Sequence, residues 1–414
     1  MKIIQVTDVE KFTAKILPKQ LQKNKLIVDS ILKNVQKNGD SAIKKYEQKF
    51  GSVRITSLRI SQKEINNAFS KVSKNEISAI RLAKSRLEKT ESIVKSTLKN
   101  KNINTDGIKI SKKFEPLQSV GCYVPGGLAK YPSSVIMSVI PAKVAGVKRI
   151  VIVSPPNSDG TIDSLTLVAA DICGANEIYR VGGAQAIAAL SFGTKSIPRV
   201  DKIVGPGGSF VTIAKTMVSD KTAIDMLAGP TELGIIADAS ANPRYVALDL
   251  ISQSEHSTDT FCYLITDSKK LAKSVDKIIN ELSNKIKRKN IVKTSLKQNG
   301  FIAVCKDKSD MIKLANELAP EHLQIMTKDP HTFASKITSS GLILLGNDTP
   351  SSASDYLLGS NHILPTNGFG KTRGSLSVFD FIKINTQVSA SKLVLSKISK
   401  YMEIFTNAEG LPNH

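Results

Sequence analysis

What most limits the folds open to this chain is the way short β-branched runs take turns with helical patterns through its middle. Between about Val120 and Asp238 the runs 149–153, 178–181, 201–204 and 233–238 read as strands, and helical spacing fills the gaps at about 134–145, 162–173, 184–192 and 210–218. Such alternation buries its apolar surface most simply as a parallel sheet with helices on its faces. The pattern returns at 260–266, 300–305, 323–326 and 341–345, so two α/β units are expected.

The flanks read differently. Residues 1–18 form a short arm ending near Pro18, and from Gln20 to Phe50 the positions Ile27, Ile31, Val35, Ile43 and Tyr46 recur at helical spacing. Asn38-Gly39 divides that run and Gly51 closes it. Ser61 with Glu64 makes a capping box, and 76–98 reads as a long helix. The first hundred residues are helical scaffold with no evident chemistry. From about Thr372 the pattern loosens into a tail rich in Ser and Lys, helical around 389–405.

At 414 residues and 41% hydrophobic, the chain can build two or three real cores. It has no apolar run of membrane-spanning length, and Met1-Lys2-Ile3-Ile4 turns polar too soon for a signal peptide, so a soluble, cytoplasmic protein with no membrane partner is expected. The four cysteines, Cys122, Cys173, Cys262 and Cys305, are widely spaced in apolar runs, as suits small buried hydrophobes. A net charge of +22 raises nucleic acid as a partner. The lysines are scattered over amphipathic segments, Trp is absent and no nucleic-acid motif occurs, so none is expected. The same charge favours anionic cofactors.

Chemistry concentrates late in the chain. Asn242 before Pro243 marks a helix start, with Tyr245, Val246, Leu248, Leu250 and Ile251 as its buried side. Gln253 and His256 follow three residues apart, a spacing that puts an amide oxygen and an imidazole one turn apart on the same side. Alone, that pairing is commonplace on protein surfaces. All five histidines (His256, His322, His331, His362 and His414) lie beyond residue 250, however, and several sit in polar segments with acids close by. That clustering points to a metal or acid–base site. Three glycine-bearing turns, at Tyr123 to Gly127, Gly182 to Gln185 and Gly205 to Phe210, fall at strand ends where backbone amides can meet phosphate. None completes the dinucleotide fingerprint, since Phe210 stands where a third glycine belongs, so plain tight turns and a nucleotide site both stay open. Tyr123 can stack on a flat ring or simply pack.

Seven ordered motifs give the chain a resemblance. They are Gly121-Cys-Tyr-Val-Pro-Gly-Gly127, Val181-Gly-Gly-Ala-Gln-Ala-Ile-Ala-Ala-Leu190, Ala228-Gly-Pro-Thr-Glu232, Ser252-Gln-Ser-Glu-His256, Ala319-Pro-Glu-His-Leu323, Ser354-Asp-Tyr-Leu-Leu-Gly-Ser-Asn-His-Ile-Leu-Pro-Thr366 and Ala408-Glu-Gly-Leu411. Together, and over nearly the whole chain from about residue 20, they resemble the histidinol dehydrogenase family, zinc- and NAD-dependent enzymes that complete histidine biosynthesis. The resemblance implies an α/β fold of two incomplete Rossmann-like domains with a helical N-terminal segment and a small C-terminal tail domain. Residues 19–120 with 231–375 would form the first domain, carrying most zinc and catalytic residues. Residues 121–230 would form the second, contacting NAD, and 376–414 a tail reaching the partner of a homodimer.

By the same resemblance Gln253, His256, Asp355 and His414 are the zinc ligands, and Glu321 and His322 the acid–base pair. Adjacent strand residues face opposite ways, so that pair can share a site only if Pro320 holds them in a turn. L-histidinol would be oxidised twice, through L-histidinaldehyde to L-histidine. His322 would take the hydroxyl proton and Glu321 would help activate water. Substrate contacts would come from Thr231, Gln253, His256, His322, Asp355, His362, Glu409 and His414, with Thr231 in a position where the family usually has Ser. NAD would lie along Tyr123, Gln185 and Gly208, the last where the family usually has Asn. The family also continues past its last zinc ligand, whereas this sequence stops at His414, so a ligand that frays easily is expected. The rival readings are a related zinc-dependent alcohol dehydrogenase acting on another small polar alcohol, and a non-catalytic basic nucleic-acid-binding protein.

Overall fold

A computed structural model describes every residue except 17–23, 127–129 and 227–228. The expected end of the arm at Pro18, the expected helix start at Gln20 and the motif residues Gly127 and Ala228 therefore lie outside the described residues. The chain begins with β1 (Lys2–Gln5) and α1 (Val9–Ile16), followed by α2 (Lys25–Gly51), α3 (Gln62–Phe69), α4 (Lys74–Ser96) and a hairpin of β2 (Lys101–Thr105) and β3 (Ile108–Pro116). A first alternating stretch runs β4 (Ser119–Tyr123), α5 (Pro132–Ala145), β5 (Arg149–Ser154), α6 (Ser164–Cys173), β6 (Glu177–Arg180), α7 (Gly183–Phe192), β7 (Lys202–Val204), α8 (Ser209–Val218) and β8 (Ala223–Ile224). A second runs β9 (Glu232–Ala237), α9 (Pro243–Ser254), β10 (Phe261–Thr266), α10 (Lys269–Leu282), α11 (Lys289–Gln298), β11 (Phe301–Val304), α12 (Lys308–Leu318), β12 (His322–Met326), α13 (Pro330–Ala334) and β13 (Leu342–Leu345). The short α14 (Ser351–Ser354), β14 (Ile382–Ser389) and α15 (Lys392–Ala408) complete it.

Both alternating stretches make parallel sheets, as the sequence predicts. The first has the order β6-β5-β4-β7-β8 and the second β1-β11-β10-β9-β12-β13. Numbered within each stretch, both follow 3-2-1-4-5, the order of an incomplete doubly wound unit whose strand direction of travel reverses beside its first strand. Helices cover both faces. In the second unit α9, α10 and α11 pack on one side, and α1, α12 and α13 on the other. Leu323 and Ile325 of β12 are fully buried on the latter side, each contributing about 1.5–3 kcal/mol.

Several expectations need correction. Residues 2–5, expected in an arm, pair in parallel with β11 as the edge strand of the six-stranded sheet. The helices α2 to α4, assigned by resemblance to the first domain, pack on the five-stranded sheet: Ile31, Val35 and Ile43 lie against Tyr123 and Tyr179, and Ile80 and Leu87 share a core with Val120 and Ile152. α4 starts at a second capping box, Ser73 with Glu76, two residues before the predicted beginning. Within α2 the expected break is present: Gly39 leaves helical angles with a positive φ of 52°, and two helical segments meet there at a kink. The loose tail contains β14, which pairs antiparallel with β3 to build a third sheet, β14-β3-β2. On α9, Val246, Leu250 and Ile251 are buried as expected, joined by Ala247, Asp249 and Gln253, whereas Tyr245 and Leu248 are exposed. The four cysteines are free and buried, and burial pushes each thiol up to about 12. No helix among the described residues is long and apolar enough to cross a membrane.

Candidate active site

The site lies at the amino ends of β9 and β12, central neighbours in the six-stranded sheet. Asn242 caps α9 by accepting the amide of Arg244, with Pro243 next, and the helix delivers Gln253 in its last turn. The helix stops at Ser254, so His256 lies just beyond it. Glu255 keeps helical angles and the His256 amide donates to Gln253 O at 3.2 Å, which carries the turn one step further. Ser351, at the start of α14, donates to Gln253 Oε1 at 3.3 Å, and Asp355 caps the other end of that helix.

Asp355 is where the imidazoles meet. Its Oδ1 lies 3.4 Å from His322 Nε2, while Glu321 Oε2 lies 3.8 Å from His322 Nδ1. These are ion-pair distances without hydrogen-bond geometry: both His322 ring nitrogens are buried with no hydrogen-bond partner among the described residues. Burial alone would drive His322 towards the neutral form, but the Asp355 and Glu321 carboxylates outweigh it and push its pKa up to about 10. Burial likewise works to raise Asp355, yet His322, then His362 and His256, hold its carboxyl below the usual aspartate range. His362 Nδ1 is 2.8 Å from the Asp355 carbonyl oxygen, which can only accept, so Nδ1 carries the proton and Nε2 faces Ser134 Oγ at 3.5 Å. Burial lowers the His362 pKa, consistent with that neutral ring.

Where a turn at Pro320 was expected, the chain bends at Glu321. Ala319 ends α12 with a φ of 45°, Gly341 N–H donates to Pro320 O at 2.9 Å, and Glu321 stands immediately before His322, the first residue of β12. Both are buried. Thr231 immediately precedes β9 and accepts the Phe261 amide through its carbonyl. Gln253, His256, Asp355, Glu321, His322, His362 and Thr231 thus belong to one neighbourhood. Glu409 and His414 do not join it within this chain: they are exposed at and beyond the end of α15, which buries no side chain. Among the described residues, no three His, Cys, Asp or Glu side chains stand in metal-holding geometry. His331 is exposed on α13.

The carboxyl ends of the five-stranded sheet present the other expected residues. Tyr123 ends β4, buried, and its hydroxyl accepts the Gly183 amide at 3.1 Å. Gln185 Nε2 donates to Glu47 Oε1 at 2.9 Å, and the same oxygen accepts the Gly182 amide at 2.9 Å. Gly208 is the N-cap of α8, with no side-chain cap and open space where a Cβ would sit. The segment after Asp355 joins the two units: Asn361 Nδ2 donates to Met137 O at 2.7 Å, and Gly229 N to Thr366 Oγ1 at 2.5 Å.

Three buried polar residues near these sites were not singled out from the sequence. Glu47 on α2 had no local signal, standing in an amphipathic Lys-rich helix. Asp249 sits on α9 one turn before Gln253, and burial pushes it up to about 6, partly offset by the Gln324 amide. Glu232 is bonded to Glu321, and burial pushes its carboxyl up to about 8. It closes the motif Ala228-Gly-Pro-Thr-Glu232, the one signal that could have flagged it.

Comparison with known proteins adds a separate line. A protein-family model described as histidinol dehydrogenase matches residues 17–414. The chain is 43% identical over 385 residues to the histidinol dehydrogenase of Oceanobacillus iheyensis, covering 93% of this chain and 90% of that protein. It is 43% identical over 389 residues to that of Methanococcus maripaludis, covering 94% and 91%. The crystal structure of histidinol dehydrogenase from Elizabethkingia anophelis superposes with a TM-score of 0.94 at 34% identity, over 99% of this chain and 95% of that one.

Proposed function

The chain belongs to the histidinol dehydrogenase family, NAD-dependent oxidoreductases acting on the CH–OH group of histidinol, and on that premise we propose how its residues divide the work. One L-histidinol, two NAD⁺ and one water yield one L-histidine anion, two NADH and three protons. The observation that carries the reading is the burial of Glu321 and His322 together beside Asp355.

In the first oxidation His322 receives the hydroxyl proton as the adjacent C–H leaves as hydride. That role needs a neutral ring, and His322 as it stands shares charge with Asp355 at 3.4 Å. It becomes a base once the Asp355 charge is committed elsewhere. In the second, Glu321 takes a proton from the water that adds to the aldehyde. His362, neutral and fixed by the Asp355 carbonyl and Ser134, lines the pocket, and Thr231 offers it a hydroxyl.

The donor set fits one Zn²⁺. Gln253, His256 and Asp355 supply an amide oxygen, an imidazole and a carboxylate, with Asp355 held as an anion chiefly by His322. The metal supplies a Lewis-acid anchor for substrate nitrogens, and NAD supplies the hydride acceptor. The fourth ligand, His414, together with Glu409, is assigned to the partner subunit's site in a homodimer. What supports this is the tail itself: α15 leaves Tyr401 68% and Phe405 70% exposed, apolar surface that a second copy would cover. For NAD, the amides entering α7 are already taken by Glu47 and Tyr123, whereas no side chain caps α8 at Gly208. We assign the anionic part of the cofactor to the N-terminus of α8 at Gly208. The cytoplasm suits a biosynthetic enzyme with four free thiols.

The test is stoichiometric. Zinc-loaded protein with excess NAD should release two NADH per L-histidinol, and Glu321→Gln should stop near one. A Glu321→Gln variant that still delivers two at the parent rate would overturn the division of labour.

A further inference from the structure

Glu232 and Glu321 are joined in an unusual way. The Glu232 amide donates to Glu321 Oε2 at 2.8 Å, and the Glu321 amide donates to Glu232 Oε2 at 3.1 Å. Each carboxylate therefore holds the other residue's backbone, across the entry of two parallel strands. A third bond, from the Asn367 amide to Glu232 Oε1 at 2.9 Å, fixes the Glu232 side chain from the segment that follows His362. Glu232 thus ties together the stretches that carry Thr231, Glu321 with His322, and His362.

A carboxyl 4% exposed beside a second carboxyl is a costly way to occupy strand amides, since burial and like charge both oppose it. The arrangement does something specific to Glu321. It commits Oε2, which also lies 3.8 Å from His322 Nδ1, and leaves Oε1 without a hydrogen bond among the described residues. One oxygen is anchored and one is available.

We infer that Glu232 is a positioning residue for Glu321: through the reciprocal backbone bonds it fixes the Glu321 carboxylate with Oε2 towards His322 and Oε1 turned to the reacting water. The inference rests on the reading of Glu321 as the group that activates water. In that step the water O–H bond breaks, its proton goes to Glu321, and the oxygen bonds to the aldehyde carbon; hydride then leaves that carbon for NAD⁺. A base misplaced by a fraction of an ångström slows water addition and leaves alcohol oxidation, which uses His322, nearly intact.

The experiment compares parent, Glu232→Gln, Glu232→Asp and Glu321→Gln as zinc-loaded holoenzymes, with L-histidinol and L-histidinaldehyde as separate substrates. In Glu232→Gln one of the two acceptor oxygens becomes an amide nitrogen facing an N–H. Its kcat on the aldehyde should fall about 10–100-fold, the range for loss of an orienting partner. KM and zinc content should hold, and the acid limb of the aldehyde pH profile should move. Glu232→Asp keeps both oxygens one methylene short, should recover part of the rate, and provides the comparison if Glu232→Gln does not accumulate. A lower melting temperature with parental kcat on the aldehyde would mean a purely structural role and overturn the inference. Parental aldehyde oxidation by Glu321→Gln would instead overturn the assignment of Glu321, whatever Glu232 does.

Discussion

Replacing Glu47 by Ala should loosen the side of the molecule proposed to hold the cofactor. Glu47 sits on α2, 3% exposed, and its Oε1 accepts both the Gly182 amide and Gln185 Nε2, each at 2.9 Å. With the Tyr123 hydroxyl on Gly183 N, these bonds are what fasten the turn between β6 and α7. Alanine leaves two buried donors without partners. At about 1.5–3 kcal/mol for each bond to a charged acceptor, the loss is about 3–6 kcal/mol, a large part of an ordinary domain's stability. Glu47→Gln keeps an accepting oxygen and removes a charge that burial disfavours, so it should cost only about 1 kcal/mol. Burial raises the Glu47 pKa, with the Gly182 and Gln185 bonds partly offsetting. The stability this carboxyl contributes is therefore complete below the ordinary glutamate range and declines as pH rises through its folded pKa. The Glu47→Ala deficit should shrink towards alkaline pH. Urea unfolding followed by far-UV circular dichroism at several pH values measures the first part, and KM for NAD, expected to rise in Glu47→Ala, measures the second. A Glu47→Ala protein with the parent's urea midpoint and the parent's KM for NAD would refute the argument that this carboxylate holds the turn.

Gly208→Asn should leave the melting temperature unchanged, because nothing lies within 4 Å of the new Cβ, while one added hydrogen bond lowers KM for NAD about 3–10-fold. In zinc-free protein, Asp249→Asn should change little at pH 4 and stabilise by about 2–3 kcal/mol at pH 8. A pKa raised to about 6 makes the parent lose stability as pH climbs from its unfolded value through 6, and the amide does not titrate; parallel melting curves for the two proteins across that window would contradict it. His256→Ala and His414→Ala should each be inactive, yet regain about a quarter of parental activity when mixed one to one with subunit exchange, since half the dimers carry one intact site of two. No recovery after verified exchange would count against a shared site.

The fold was legible where periodicity is strong and local. Every strand and helix of the two alternating stretches that was expected is present within a few residues, because parallel strands buried on both faces must be apolar along their whole length. The third sheet was missed for the opposite reason. β2 and β14 carry Lys-Asn-Ile-Asn-Thr and Ile-Lys-Ile-Asn-Thr-Gln-Val-Ser, with mostly exposed side chains and no continuous apolar run. One clue was available: Asp106-Gly107, both with positive φ, is the two-residue turn that matches strand twist in a hairpin. β1 hid in plain sight, since Lys-Ile-Ile-Gln reads as a polar start until a partner strand 300 residues away gives it an edge to join.

For the site, the sequence could supply residue types but not the end of the sheet they occupy. The general rule places ligands at the carboxyl ends of parallel strands, and Tyr123, Gly182 and Gly208 stand at those ends. Glu232, Glu321 and His322 stand at the amino ends of the second sheet, where the carboxyl end of α9 brings Gln253 and His256 back to meet them. On the proposed reading, two units of the same strand order would contribute opposite ends to one reaction, with the hydride acceptor on one and the proton acceptor on the other. What neither sequence pattern nor a single chain can complete is the last ligand. α15 is an amphipathic helix of 17 residues that buries no side chain fully, although Val394 lies beside Gly107 of the β2–β3 turn, so apolar surface from outside the chain would add most to its stability. Whatever surface covers Tyr401 and Phe405 also decides where His414 goes, so under the proposed shared site zinc affinity would follow the same contact that joins two subunits.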